Sequence, residues 1–471
     1  MQPLRVLTAL LFAAGLLAPI AAVAQSPSDP ASAHNQLARE IFQELIEIDT
    51  THATGSTTDA AEAMAARLRA AGFPAADVQV IGPHPKKGNL IARFQGSGAR
   101  RPLLLLAHLD VVGANREDWS LDPFRFTEQD GYFYGRGTSD DKAMSAIWIA
   151  NLIRYKQEGF QPDRDIIVAL TADEEGGEFN GVEWLLQNHR GLIDAAYSLN
   201  EGGSGAIRNG KYMSNDIQLS EKVYMTLRLE VTNDGGHSSI PERDNAIYHL
   251  AEGLSRLAQH EFPVRLDEIT RAYFERMAEI EGGPVGAAMK GVAANPPDPE
   301  AAARLSEVPY YNALLRSTCV ATELEAGHAE NALPQTARAT VNCRVLPGDS
   351  ADEVRQTVIQ VLANEAIAVS TTTEPMAGPA SPLTTDVLGP VERITEQMWP
   401  GVPVIPTMVT GATDGRYLRN AGIPTYGVSG LFEDIDDMRL HGKDERMGIK
   451  QFYEGREFLY RLVRALASEQ Q

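Results

Sequence analysis

Cysteine is almost absent: Cys319 and Cys343 are the only two in 471 residues. Neither stands in a CxxC or histidine-rich pattern, which excludes a thiolate zinc site and a cysteine nucleophile. Basic residues are in deficit too, 42 Lys and Arg against 63 Asp and Glu, for a net charge of −21. Phosphates and anionic bilayers would be repelled, so nucleic acid and charged membrane surfaces are excluded as partners. After the N-terminus no apolar stretch approaches the roughly 20 residues that span a bilayer. Internal repeats are lacking as well. What remains is ordinary for a globular protein, 43% hydrophobic and 22% charged residues.

The first residues differ from the rest. Arg5, an apolar run from Val6 to Leu17 and Ala22-Val23-Ala24 before Gln25 read as a cleavable secretory signal over 1–24. A Ser/Pro/Ala-rich leader follows over 25–34. The expected location is therefore secreted or periplasmic, with no membrane contact once the signal is removed. In an oxidising compartment the two cysteines either join as a disulfide or stay as buried thiols. Arg316 to Glu325 and Thr336 to Val345 read as strands, and antiparallel pairing around Gly327 to Pro334 would set the cysteines opposite each other.

Length alone predicts two domains, or one with a large insertion. Apolar residues at three and four residue spacing mark helices at Ala38 to Glu47 and Thr58 to Ala71, and Ala143 to Tyr155 also reads as a helix. Asn89 to Phe94 is a strand. The continuous apolar runs Leu103 to Ala107 and Ile166 to Thr171 predict buried parallel strands of an α/β sheet, each ending at a polar cluster. Ligands of such sheets collect beyond the carboxyl ends of the strands. Near Leu219 the text changes to alternation through Val223 to Val231. A helix (Asn245 to Gln259), the cysteine strands, a helix (Ala351 to Leu362) and a strand (Ile367 to Thr373) complete a β-α-β-β-α-β order, that of a ferredoxin-like α+β insertion. Residues 265–315 interrupt it with mixed helical text of no assigned role. The α/β pattern then resumes with helices at Asp386 to Met398 and Gln451 to Ala467 and a short strand near Val404. The expected division is a catalytic domain in two parts, 35–216 and 379–471, around an inserted domain at 217–378.

Five short segments carry the chemistry: His108-Leu109-Asp110, Gly137 to Lys142, Asp173-Glu174-Glu175-Gly176-Gly177, Asn200-Glu201-Gly202-Gly203 and Leu440-His441-Gly442. Imidazoles and carboxylates on strand ends suit a two-metal hydrolase centre, which needs one carboxylate to bridge cations about 3.5–4 Å apart. Asp140, presented by a glycine-rich turn, is the expected bridge. A metal-bound imidazole commonly gives its other N–H to a carboxylate, the role expected of Asp110 toward His108. Adjacent acids such as Glu174 and Glu175 are costly in a low-dielectric site without cations. With cations present, one binds metal while its unliganded neighbour takes a proton.

His108-x-Asp110, Asp140-Asp141-Lys142, Asp173-Glu174-Glu175-Gly176, Glu201-Gly202 and His441-Gly442, in this order, resemble metallopeptidase family 20 across nearly the whole mature chain. The resemblance implies a zinc-peptidase-type catalytic domain with a central, mostly parallel sheet, and an inserted domain that serves as lid or dimerisation unit. One Zn2+ would be held by His108, Asp140 and Glu201, the second by Asp140, Glu175 and His441, with Co2+ or Mn2+ as substitutes. Glu174 would be the general base, and the Asp140-Asp141 peptide would be cis. Asp234-Gly235-Gly236-His237-Ser238-Ser239 resembles the segment whose histidine polarises the scissile carbonyl; His237 would act within its own subunit or across a homodimer. Asn331 and Arg344 match positions that contact the carbonyl region and the substrate carboxylate, and the Arg fork suits a carboxylate. Gly411 and Thr413 match a substrate loop, and Arg416 is a second carboxylate-binding candidate.

Two departures stand out: Asn342-Cys343 precedes Arg344 where relatives often have an acid and an aliphatic residue, and His441-Gly442-Lys443-Asp444-Glu445 replaces His-Gly-Pro-Asn-Glu. The expected activity is hydrolysis of an amide beside a free carboxylate, by a carboxypeptidase or dipeptidase acting on small peptides. The alternatives are an N-acyl amino acid deacylase, an aminopeptidase and a non-catalytic metal-binding protein.

Overall fold

The computed structural model describes residues 30–468. The expected signal segment and the first part of the leader lie outside the described residues. A ten-stranded sheet runs in the order Val78–Ile81, Asn89–Phe94, Ile166–Thr171, Leu103–His108, Tyr197–Asn200, Thr425–Gly427, Lys211–Glu221, Gly205–Arg208 and Phe432–Asp434, with Val404–Val409 paired to Lys211–Glu221 off this path. The central pairings are parallel.

Leu103–His108 shows why its text is apolar without alternation. Leu103, Leu105 and Ala107 enter one core cluster, with Phe42, Trp148 and Phe458, while Leu104 and Leu106 enter another, with Val182, Leu185 and Leu418. Both faces of the strand are covered, so no position along it is free to be polar. The helices Pro30–Glu47, Lys142–Gln157 and Ile449–Leu466 supply the first cover, and Gly181–Asn188 contributes to the second.

A separate four-stranded antiparallel sheet has the order Thr318–Ala326, Thr336–Val345, Val223–Thr232 and Ala368–Thr373. Val223, Met225, Leu227, Leu229 and Val231 are buried under Leu250, Leu257, Val354, Val358 and Leu362, which belong to the helices Ala246–Ala258 and Ala351–Leu362. The other face is largely open, and this accounts for the alternation in the sequence. Cys319 and Cys343 are directly opposite in register and form a disulfide.

Residues 265–315 fold into the helices Glu268–Glu281, Gly283–Ala293, Pro299–Ser306 and Pro309–Leu315. Asp267 and Thr270 form a capping box at the first, and Asp298 caps the third ahead of Pro299. Their core includes Ile405 and Met408 of the large sheet. The text that sequence left without a role therefore packs beside the strands that carry the candidate site.

Candidate metal centre

Three adjacent parallel strands deliver their polar ends to one edge. His108 ends Leu103–His108, Asp173 to Glu175 follow Ile166–Thr171, and Glu201 follows Tyr197–Asn200. Asp140 and His441 arrive on loops. His108 Nε2 is 2.8 Å from Asp140 Oδ1 and 3.8 Å from Glu201 Oε2. His441 Nε2 is 3.1 Å from Asp140 Oδ2 and 2.9 Å from Glu175 Oε1. Each oxygen of Asp140 thus faces a different imidazole, and the five expected ligands converge from a span of more than three hundred residues. Asp141, which had no expected role, joins His108 and Glu201 in one ligand group, while His108, Asp140 and Glu175 form the other, the donor atoms of each lying within 4.8 Å of one another.

The surrounding cavity, about 390 Å³, is lined by Asp140, Asp141, Glu174, Glu175, Glu201 and Glu433 and by no Lys or Arg. Burial raises Glu201 to about 7, and it raises Asp141 and Glu174 well above the carboxylate range, with Glu201 adding to both. Burial opposes ionisation of Asp140 as well, but His108 and His441 hold its carboxyl below the ordinary range. Hydrogen bonds to Asp140 and Glu175 raise His441 to about 10. Such a crowd of acids around two imidazoles, with no Lys or Arg in the lining, is the donor set that divalent metal ions fit.

Several buried groups hold the ligands in place. His108 Nδ1 donates to the main-chain carbonyl of Asp110 at 3.0 Å, while the Asp110 carboxylate is 3.7 Å from that nitrogen. Asp110 thus holds the imidazole through its peptide oxygen, with its carboxylate beside the same nitrogen rather than hydrogen-bonded to it. Asp110 Oδ1 and Oδ2 instead accept the backbone N–H groups of Glu174 and Glu175, at 3.1 and 3.0 Å. Asp173, at φ 56°, is tied to Lys87 Nζ at 2.6 Å and turns the acidic loop away from its strand. The Asp140-Asp141 peptide is cis.

Glu445 is the residue sequence reasoning undervalued. It is fully buried, pairs with Arg136 at 2.5 Å and accepts the N–H groups of Gly137, Ser139 and Asp140 at 3.2, 2.7 and 3.2 Å. Arg136 in turn donates to the carbonyls of His441 and Gly442. One ion pair thereby locks the loop of Asp140 to the loop of His441. The signal was present, since Glu445 closes the His441 segment, whereas nothing in the sequence singles out Glu433.

Among the expected substrate contacts, Gly411 and Thr413 line the cavity. The Thr413 hydroxyl is already engaged, donating to Glu221 at 2.8 Å. The neighbouring Asp414 accepts from Asn180 at 2.6 Å and from Thr171 at 3.4 Å, which ties this loop to the strand before Glu174. Arg344 stacks over Tyr224 and Arg416 over Tyr417, with guanidinium carbons 4.6 and 4.7 Å from the ring centres. Burial lowers Arg344, as does the like charge of Arg416, while Tyr224 acts in the opposite direction. Neither arginine lines the metal cavity. His237 and Asn331 are brought together, but elsewhere: Gly236–His237 pairs with Ala332–Leu333, and Ser238 N–H donates to Asn331 O at 3.0 Å. Both are exposed and neither lines the cavity.

Comparison with known proteins agrees with this geometry. Residues 104–465 match the profile of peptidase family M20/M25/M40. The chain is 31% identical over 395 residues to the human N-fatty-acyl-amino acid synthase/hydrolase PM20D1, covering 80% of this chain and 77% of that protein. It is likewise 31% identical over 378 residues to the probable carboxypeptidase S-like 2 of Dictyostelium discoideum, covering 77% and 71%. The fold is shared with the M20 family metallo-carboxypeptidase Sso-CP2 of Sulfolobus solfataricus at TM-score 0.70 and 18% identity, over 91% of this chain and 99% of that one. It is also shared with the Bacillus subtilis YXEP protein, described as a dinuclear metal binding peptidase, at TM-score 0.59 and 12% identity, over 93% and 99%. The chain belongs to peptidase family M20/M25/M40.

Proposed function

We propose that this protein is a two-metal amidohydrolase that cleaves an amide beside a free carboxylate, and that zinc is its working metal. The observation that carries this reading is Asp140, with one oxygen 2.8 Å from His108 and the other 3.1 Å from His441. His108, Asp140 and Glu201 would hold one ion, and Asp140, Glu175 and His441 the other. When bound, the ions would supply Lewis-acid polarisation of the substrate carbonyl and activation of water.

Glu174 takes the proton of the attacking water and returns it to the leaving amine. Its backbone is held by Asp110, so its carboxylate is presented to the cavity from a fixed loop. Arg344 and Arg416 receive the substrate carboxylate. Neither has an acidic partner among the described residues, and each is oriented by an aromatic ring. His237 donates to the developing oxyanion once the segment 217–378 acts as a lid. It arrives either by closure of its own chain or from a second copy in a homodimer. Secretion or residence in the periplasm completes the proposal; the Cys319–Cys343 disulfide supports it.

A carboxypeptidase and an N-acyl amino acid hydrolase, the activities in the names of similar proteins, share the demand for an amide next to a carboxylate. The test is a panel of dipeptides, N-acyl amino acids and their C-amidated counterparts on the zinc-loaded protein, with Glu174→Gln beside it. Free acids are expected to be hydrolysed and C-amides refused, and Glu174→Gln should lower kcat by about 10²–10⁴-fold at unchanged metal content. Equal hydrolysis of the amidated series, or an active Glu174→Gln, overturns the reading.

A further inference from the structure

Beside the metal cavity lies another of about 410 Å³. The two share Gly202, Ser204, Val409, Glu433 and Met438 as walls. Ser214, Asp216 and Met408 come from the large sheet, and Tyr273, Tyr310 and Tyr311 from the helices of residues 265–315. Arg344 and Arg416 do not line this annex, which separates it from the carboxylate end of the substrate.

Three acids line the annex, Asp216, Glu281 and Glu433, and of these Asp216 carries the unpartnered oxygen. Its Oδ1 is shielded from solvent and has no hydrogen-bond partner. Of the shielded, unpartnered side-chain atoms among the described residues, only those of Asp141 and Asp216 belong to residues lining either cavity, and Asp141 belongs to the metal-ligand cluster. The one arginine of the annex, Arg208, lies 3.8 Å from Glu281 and is matched by that acid. Burial raises Asp216 to about 7, against a hydrogen bond from Ser214 that favours the ionised form. A carboxylate oxygen left unpartnered in a shielded site calls for a cation. Electron-rich rings around it are the usual surface on which organic cations are held.

We propose that this annex is an ammonium-binding subsite, with Asp216 as counter-ion and the tyrosines around the alkyl stem, which selects substrates carrying an amine or guanidinium on the acyl side of the scissile amide. The assignment rests on the amidohydrolase reading for what the cation is attached to. Asp216 is a specificity residue and touches none of the reacting atoms. Purely fatty acyl groups would leave its carboxylate unmatched, so they should be the poorer substrates.

The experiment compares N-(6-aminohexanoyl)-alanine with N-heptanoyl-alanine, in which a methyl group replaces the ammonium. The zinc-loaded wild type should favour the ammonium substrate in kcat/KM by about tenfold or more. Asp216→Asn should collapse or invert that ratio. Hexylammonium and 1-hexanol are titrated calorimetrically into the same proteins, and the substitution should weaken only the ammonium. Met277→Trp, which fills the annex from its helix wall, should depress both long substrates relative to N-acetyl-alanine and serves if Asp216→Asn does not fold. A wild-type preference for the heptanoyl substrate, or a ratio indifferent to Asp216→Asn, overturns the proposal. If no N-acyl amino acid is hydrolysed yet hexylammonium binding still depends on Asp216, the hydrolase reading fails and the subsite stands.

Discussion

Asp140 and His237 sit at opposite extremes of constraint. Asp140 has both oxygens engaged by imidazoles and its N–H held by buried Glu445, within loops that are themselves tied by Arg136. His237 is exposed on a two-residue ribbon, and the hydrogen bonds of its ring run only to Ser239, two residues away. Groups that hold ions must be in position before the ion arrives, because each misplaced carboxylate would have to be moved against its neighbours. A group that meets the substrate late can stay mobile and solvated until closure.

The sharpest way to break this comparison is to remove the lock rather than a ligand. Glu445→Ala leaves Arg136 buried and unpaired, a change expected to cost about 3–5 kcal/mol of stability. It should also weaken metal retention, measured by chelator competition, although Glu445 is not among the expected ligands. Unaltered stability and metal affinity would mean that the Asp140 loop does not depend on this pair.

His237→Ala should do the reverse. Its solvent exposure predicts an unchanged Tm and metal content, while loss of an oxyanion donor lowers kcat by about 10²–10³-fold. Mixing this variant with Glu174→Gln sharpens the point. If His237 serves a partner's site, mixed dimers recover activity that neither variant has alone; if it serves its own chain, none returns.

The smallest effect is a pH dependence of the metal-free protein. Burial holds Asp110 at about 6 and Glu201 at about 7, above their ordinary 3.8 and 4.5. A carboxyl whose folded value is raised contributes stability that is full at low pH and lost as pH climbs through the folded value. Asp140, which is lowered, has the opposite sign, and its loss is confined to acid below its ordinary 3.8. The metal-free Tm should therefore fall by a few degrees between about pH 4 and pH 7, and divalent metal should restore more at the higher pH. A flat profile would show that these acids are better solvated than their burial implies.

Much of the fold was legible because its causes are local. The strands Asn89–Phe94, Ile166–Thr171 and Thr336–Val345 and the helix Ala351–Leu362 occur where apolar period and flanking turns put them. The short strands Gly205–Arg208 and Thr425–Gly427 escaped notice: the first is one arm of a tight hairpin with Lys211–Glu221 that also pairs with distant Phe432–Asp434, and the second is recruited by distant Tyr197–Asn200. Within the site, ligand types at strand ends were readable from order and spacing. The partners of Asp110 were not: a His-x-Asp text is the same whether the carboxylate faces the imidazole or, as here, the N–H groups of residues 64 and 65 positions away.

What the sequence determined by itself is the chemistry on offer: two histidines and a set of acids placed after apolar strands, an excess of negative charge, and a pair of cysteines in pairing register. Only the tertiary structure decided which acid faces which imidazole, that Glu445 and Arg136 lock two distant loops, and that residues 265–315 wall an annex containing an unmatched Asp216. The reason is physical. Residue type and local period fix what a side chain can donate or accept, whereas the cost of burying a charge depends on every group that surrounds it, and those groups are assembled only when the chain has folded.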